Sequence, residues 1–345
     1  MNWTNRWILV VVLTTIFSTA KGQDKEIDSL YVKSLDLIDN NDYSSAKVEL
    51  LKALNLNKKS DKVLKELAFC YYQTNKYNTA IEYSNKLIRQ KTELSAEGYV
   101  TKCASLEALG KSTNALRYYK IGVAKYPSKH QLNYNYAQLC FSKGDYITAE
   151  NYAIEAILTY NSDPESHFLL YQIANKQGLR VKALFAAIYY AHLEQDDKKS
   201  IEAYKLVRKL WWEIASKEGK NIMRLVDSNT DFDGFGAIEK LINQVNSSFP
   251  MNVTPQQEMA FLTQANDSLY KHINLLQDKH TNNFYWSFYG GFFARLQIVH
   301  YSQYSTFYMA QYCYKPEVMG EVAKNLVEFN NFSYWLEKEL LRTKE

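Results

Sequence analysis

Five alanines, Ala46, Ala80, Ala115, Ala149 and Ala183, recur at spacings of 34, 35, 34 and 34 residues. A period of this length leaves few folds open, because each period must be one supersecondary unit that buries its apolar face only by stacking on the next. Aligned on the alanines, the segments are "NNDYSSAKVELLKAL" (40–54), "TNKYNTAIEYSNKLI" (74–88), "LGKSTNALRYYKIGV" (109–123), "KGDYITAENYAIEAI" (143–157) and "QGLRVKALFAAIYYA" (177–191). Tyr43, Tyr77 and Tyr146 stand three residues before three of the alanines, and Ala53, Gly122 and Ala156 stand seven after. Each unit has an apolar helical stretch upstream, such as "VLKELAFCYYQ" (63–73) or "LNYNYAQLCFS" (132–142). The pattern predicts a helix, a short turn at Asn40-Asn41, Gly110, Gly144 or Gly178, and a second helix, since Gly and Asn end helices. The alanine lets the second helix approach the first, and the tyrosine fills the angle at the turn.

The cores "NDYxxA" (41–46), "NKYxxA" (75–80) and "GDYxxA" (144–149) resemble the tetratricopeptide-repeat family. The repeats run over 27–60, 61–94, 96–129, 130–163 and 164–197. Only the third ends with the family's proline, Pro127. Ser112 and Arg180 replace the turn tyrosine, and Tyr171 replaces a small residue. The resemblance implies an all-α, right-handed superhelical solenoid whose concave face, lined by the first helix of each unit, binds an extended peptide or protein segment. On that face it places Tyr31, Lys65, Phe69, Tyr72, Tyr134, Asn135, Gln138, Phe141, Phe168, Gln172 and Asn175. Rings give apolar contact at low entropy cost and amides pair with a peptide backbone. About half of these residues are expected to be lost to packing between repeats. The Lys/Asn clamp that some members close on a free C-terminal carboxylate is incomplete here: its places hold Tyr31, Leu35, Lys65, Phe69, Val100, Thr101 and Ala104.

Composition excludes other classes. The chain has 345 residues, a net charge of +4, and Lys and Arg scattered among Asp and Glu, so it carries no electrostatic footprint for nucleic acid. Five Pro and twelve Gly argue against turn-rich β folds and disorder, while Tyr is abundant at 28. The first 22 residues read as a secretory signal peptide: Arg6, an apolar run from Ile8 to Phe17, then small residues, with cleavage before Gln23 or after Ala20. Ten apolar residues fall short of the about 20 that span a bilayer, and no later stretch does so. An uncleaved anchor is the alternative. The expected location is the periplasm or the exterior. Cys70, Cys103 and Cys140 fall on successive helices, whose axes pack about 8–10 Å apart. Disulfide partners need Cα atoms within about 7 Å, so free buried thiols are expected.

A capping or linking helix is expected over 198–219, with Ile201, Tyr204, Val207, Leu210, Trp211 and Ile214 at helical spacing, and a helical, aromatic-rich domain over 220–345. The latter loosely resembles tails behind repeats in exported Bacteroidetes-type proteins. Helices are predicted over "GAIEKLINQVNSSF" and 254–280, the second with Thr254 as N-cap, Pro255 first and Gln257 closing a capping box. "EVAKNLVEFNNFSYWLEKELL" is further helix. Residues 284–314 hold thirteen aromatics, of which Trp286, Tyr289, Phe293 and Leu296 recur at helical spacing and read as core. "NTDFDGFGAIEK" begins like a calcium loop with Asn229, Asp231 and Asp233, but its twelfth residue is Lys240 where the motif needs a bidentate Glu. A helix cap is the simpler reading, with a weak metal site as the alternative. The six histidines form no paired-ligand spacing, and no phosphate loop, GxSxG or cofactor motif occurs. The expected function is non-enzymatic: an envelope scaffold binding another protein. The rivals are an enzyme with its site in 220–345 and a calcium-stabilised structural module.

Overall fold

The computed structural model describes residues 24–215, 234–246, 253–280, 282–313 and 315–341, and every regular element among them is helical. Five helix pairs come first: α1 (24–39) with α2 (Tyr43–Leu56), α3 (Asp61–Gln73) with α4 (Tyr77–Gln90), α5 (Ser95–Ala108) with α6 (Ser112–Lys125), α7 (His130–Ser142) with α8 (Tyr146–Thr159), and α9 (Pro164–Lys176) with α10 (Arg180–Leu193). Their turns are copies of one device. Asn41, Asn75, Gly110, Gly144 and Gly178 all have left-handed backbone, with φ of 60°, 57°, 71°, 79° and 75°. At the first turn the N–H of Asn41 donates to the Ile38 carbonyl and that of Asp42 to the Leu37 carbonyl, both at 2.8 Å. The other four turns repeat this pair of bonds at 2.8–3.1 Å. This is the Schellman arrangement, which satisfies carbonyls left over at a helix end and requires a left-handed residue just beyond it. Each such residue stands five before a repeat alanine, so turn and alanine share one phase. Where the turn residue is Asn, the tyrosine hydroxyl two places on donates to its Oδ1: Tyr43 to Asn41 at 2.8 Å and Tyr77 to Asn75 at 2.7 Å. Asp42, Asp145 and Asp163 then cap the following helices by accepting from the N–H of Ser45, Thr148 and Ser166.

The chain divides into two compact units, 1–139 and 140–345, with the division inside α7. This is a division by packing; the partition by repeat phase (23–197, 198–219, 220–345) is a different one. In the first unit Ala46, Ala80 and Ala115 are buried, as are Ala53 and Gly122. Approach between helices there is close: a Cβ on Gly98 would lie 2.9 Å from Ile88 Cγ1 and 3.0 Å from the Ser84 carbonyl oxygen. Cys70 and Cys103 are buried free thiols, and burial pushes Cys70 up to about 12.

In the second unit Ala149, Ala156 and Ala183 are buried, and so is the free thiol of Cys140, while Cys313 is a half-buried free thiol. Tyr171, at the place of a small residue, is buried with its ring 5.8 Å from that of Phe168. Helix α10 has no solvent face along most of its length: Val181 and every residue from Ala183 to Leu193 are buried. One side packs on α9, and the rest of the cover comes from α11 (Asp197–Ala215), α12 (Phe235–Asn246), a π-helical turn (Tyr285–Gly290) and α15 (Ser302–Ala310). Helix α11 buries Tyr204, Val207, Leu210 and Trp211 and packs on α12 and α15 as well as on α10, so it lies inside the unit rather than closing it. Helix α13 (Pro255–Leu276) begins with the reciprocal capping box: Thr254 N–H donates to Gln257 Oε1 at 3.0 Å and Gln257 N–H to Thr254 Oγ1 at 3.3 Å. After a short 3₁₀ turn (Gln277–Lys279) the aromatic segment passes from the π turn into α14 (Gly291–Ile298), burying Trp286, Tyr289, Phe293 and Leu296 together. The final stretch is two helices, α16 (Lys315–Lys324) and α17 (Leu326–Leu340), broken at Asn325, whose ψ of 41° leaves the helical region.

Candidate functional site

In the first unit the proposed face is carried by α1, α3 and α7. Tyr31, Lys65, Phe69, Tyr72, Tyr134 and Asn135 are half-buried and Gln138 is exposed. A buried carboxylate organises the near end. Glu66 accepts from the Tyr31 hydroxyl at 3.4 Å and from the Lys65 ammonium at 2.9 Å, and Lys62 lies over the Tyr31 ring at 4.9 Å. Burial is the largest single influence and works against the Lys65 charge, yet the Glu66 bond and charge, with Tyr31 and Glu97, together hold Lys65 above its ordinary range. Burial, then Glu66, also raises Tyr31. Lys65 is therefore committed to its helical neighbour, which adds a physical reason against a carboxylate clamp. Phe69 packs edge-on to Tyr43 with centroids 5.9 Å apart, and Tyr72 lies 5.8 Å from Tyr77, so turn tyrosines brace these rings from the side. Tyr134 stacks on His130 at 6.2 Å. Asn135 bears on the buried Tyr119 hydroxyl, which burial and Glu107 push up and which donates to Glu107 at 2.9 Å.

In the second unit Phe141, Phe168 and Gln172 are half-buried and Asn175 is exposed. Phe141 leans on its turn tyrosine, Tyr146, at 5.9 Å, and Phe168 packs between Tyr171 (5.8 Å) and Tyr190 (5.2 Å). None of the eleven residues is fully buried, so packing removes fewer than the half expected. Glu66 is the residue the sequence reading missed. Its signal was a lone acid on the apolar side of α3, flanked by Leu64 and Leu67.

Within 220–345, the region of the rival enzyme reading, Asn266, Tyr270, Tyr289, Ser305 and Thr306 are interior and bond, directly or through one another, to partners upstream of it. His192 has Nδ1 2.7 Å from the Ile188 carbonyl, so that nitrogen carries the proton, and Nε2 2.9 Å from Ser305 Oγ. Tyr270 Oη completes the line at 3.1 Å from Ser305 Oγ. Beside it Trp211 Nε1 donates to Asn266 Oδ1 at 3.1 Å, and Asn266 Nδ2 to Thr306 Oγ1 at 3.0 Å. His167 bridges Tyr289 Oη (2.7 Å) and the Asn161 carbonyl (2.8 Å). A serine on an imidazole is the pairing of an activated nucleophile, but the side chains of this network are all buried, and their bonds satisfy interior polar groups. Among the described residues no group of three His, Cys, Asp or Glu could hold a metal ion. Asn229, Asp231 and Asp233 lie outside the described residues, as does the segment 1–22. No described helix is long and apolar enough to cross a membrane.

No family model matches the chain, and no curated protein matches it. Solved structures do resemble it. PilF of Pseudomonas aeruginosa is 16% identical, the alignment covering 63% of this chain and 99% of that one, with a TM-score of 0.47. A tetratricopeptide repeat protein from Parabacteroides merdae is 14% identical over 78% of this chain and 99% of its own, with a TM-score of 0.43. YrrB, a protein of the same repeat class with an unusual peptide-binding site, is 17% identical over 55% of this chain and 97% of its own, at 0.40.

Proposed function

We propose that the chain, whose five helix pairs repeat one turn and one buried alanine in the tetratricopeptide phase, is an exported, non-enzymatic scaffold that binds an extended segment of another protein on the first helices of its repeats. The carrying observation is that the aromatic and amide side chains of this face keep solvent-exposed surface while the opposite sides of the same helices are core. In the first unit Tyr31, Phe69 and Tyr72 offer ring surface already fixed by neighbours, so little rotamer entropy remains to be lost on binding. Asn135 and Gln138 supply amides for a peptide backbone. The buried Glu66 with Lys65 gives the near end a paired charge rather than a free cation, which disfavours recognition by a terminal carboxylate.

The test is photo-crosslinking from Tyr72 and Tyr134 of the full chain in its native envelope, with exposed Lys120 on α6 as control. One partner captured from both positions and missed from the control supports the reading, provided Tyr72→Ala with Phe69→Ala lowers its affinity in purified form. A partner captured equally from Lys120, or one whose affinity the double variant leaves unchanged, refutes it.

A further inference from the structure

Helix α17 turns one face inward and leaves the other open. Phe332, Leu336 and Leu340 are buried, whereas Val327, Tyr334 and Leu341 are 67%, 64% and 63% exposed. These three stand seven residues apart. Seven residues close two helical turns to within about 20°, so the three form one apolar stripe along the helix. Leu341, the C-cap, keeps helical backbone (φ −85°, ψ −6°), so the stripe runs to the helix end. Asn330, Asn331, Glu337 and Lys338, all exposed, fill the turns between the apolar positions. With Met319 and Leu326, the stretch 319–341 carries five of the fifteen exposed large apolar residues among the described ones. Scattered singly such residues mean little, but gathered on one surface they mark an interaction site.

The order along this stripe is its own mirror about Tyr334. An aliphatic side chain stands seven residues to either side, and a polar pair stands three and four residues to either side. A two-fold contact sets residue i of one copy on residue j of the other, and j on i. We propose that the open face of α17 is a homodimer contact, in which two copies of the chain pair antiparallel with Tyr334 on the two-fold axis. Val327 then meets Leu341 of the second copy, Tyr334 meets Tyr334, and Asn330 and Asn331 meet Lys338 and Glu337. An amide accepts from an ammonium and donates to a carboxylate, so each charge meets its complement. A parallel pairing would set Glu337 on Glu337 and Lys338 on Lys338, a like-charge juxtaposition. Sliding one antiparallel copy by a heptad sets Tyr334 on Leu341 and leaves Val327 with nothing opposite. The Lys338 ammonium lies 5.2 Å from the Tyr334 ring centroid, which orders the central ring before the copies meet. Three apolar side chains per copy bury less than the about 1,600 Å² of a standard interface, so the dimer is weak and reversible, with a Kd of about 10–100 µM. The contact stands whether or not the face of the first unit binds a peptide.

Sedimentation velocity of the full chain from about 1 to 300 µM decides whether it dimerises, a range that brackets the expected Kd. A reversible monomer–dimer equilibrium is expected. Tyr334→Glu should raise the Kd at least about tenfold while leaving the urea midpoint where it was, because the side chain faces solvent in the single copy. Orientation is read by a short bismaleimide in a Cys313→Ser background, the other three thiols being buried. An equimolar mixture of Val327→Cys and Leu341→Cys chains should give the mixed dimer, Tyr334→Cys should crosslink to itself, and neither end variant should do so alone. A chain that stays monomeric throughout, a dimer whose Kd Tyr334→Glu leaves unchanged, or Val327→Cys crosslinking to itself as well as in the mixture overturns the proposal.

Discussion

Acidification should destabilise the second unit, and two interior imidazoles set the slope. Burial pulls both His167 and His192 from 6.5 down to about 4, against the pull of their carbonyl hydrogen bonds. The folded chain therefore keeps them neutral where the unfolded chain takes up two protons. Their effect is absent above pH 6.5, grows as pH falls from 6.5 to 4, and is constant below 4, where both states are protonated. Each group contributes about 1.4 kcal/mol per pH unit within that window. Together they remove about 7 kcal/mol across it, comparable with the about 5–15 kcal/mol that holds a typical domain. Urea unfolding of the full chain at half-unit steps from pH 7.5 to 4.5 measures the loss. The discriminating comparison is with His192→Gln. Broken hydrogen bonds in the variant add an offset that does not vary with pH, whereas removing the titrating group makes its stability curve shallower by about 1.4 kcal/mol per pH unit. Parallel curves for the two proteins between pH 6.5 and 4.5 would refute the depressed His192.

At the repeat turns, Gly144→Ala places a Cβ in open space at a φ of 79°. It should cost only the left-handed strain of roughly 1–2 kcal/mol, less about 0.4–1 kcal/mol gained by stiffening the unfolded chain; urea midpoints report the difference. Gly234→Ala shares the left-handed backbone but sets its Cβ 2.5 Å from His280 Nε2, so it should destabilise more than Gly144→Ala in the same assay. Thr254→Ala removes one half of the capping box at α13 and should cost about 1 kcal/mol, with Gln257→Ala nearly non-additive on top of it because the two bonds form one motif.

Much of this fold was legible because it repeats. A single alanine or glycine is weak evidence, but Ala46 to Ala183 and Asn41 to Gly178 keep one phase, and five copies of a local device cannot be accidental. The capping box was legible for a similar reason, since both partners lie within four residues. What stayed hidden depends on partners far apart in the chain. Nothing local in Trp211, Asn266 and Thr306 announces that they join one buried network across 55 and 40 residues. The π turn at Tyr285–Gly290 was unreadable because its aromatics satisfy helical spacing nearly as well. On the candidate face, side-chain types were legible but commitments were not: Lys65 reads as a free cation until Glu66 is seen beside it in space.

The enclosure of α10 has a consequence for ancestry. In a simple array every unit is interchangeable, so copies can be gained, lost or swapped at little cost. Here the second helix of the fifth unit presents apolar residues in every direction, and this particular tail conceals those that α9 leaves open. Units one to three are free to drift in number and sequence under selection from whatever they hold, whereas "VKALFAAIYYAHL" and the segments over it must be inherited as a block. A recombination break placed between residues 179 and 345 should yield insoluble offspring, and a break upstream of residue 140 a soluble protein with a new reach.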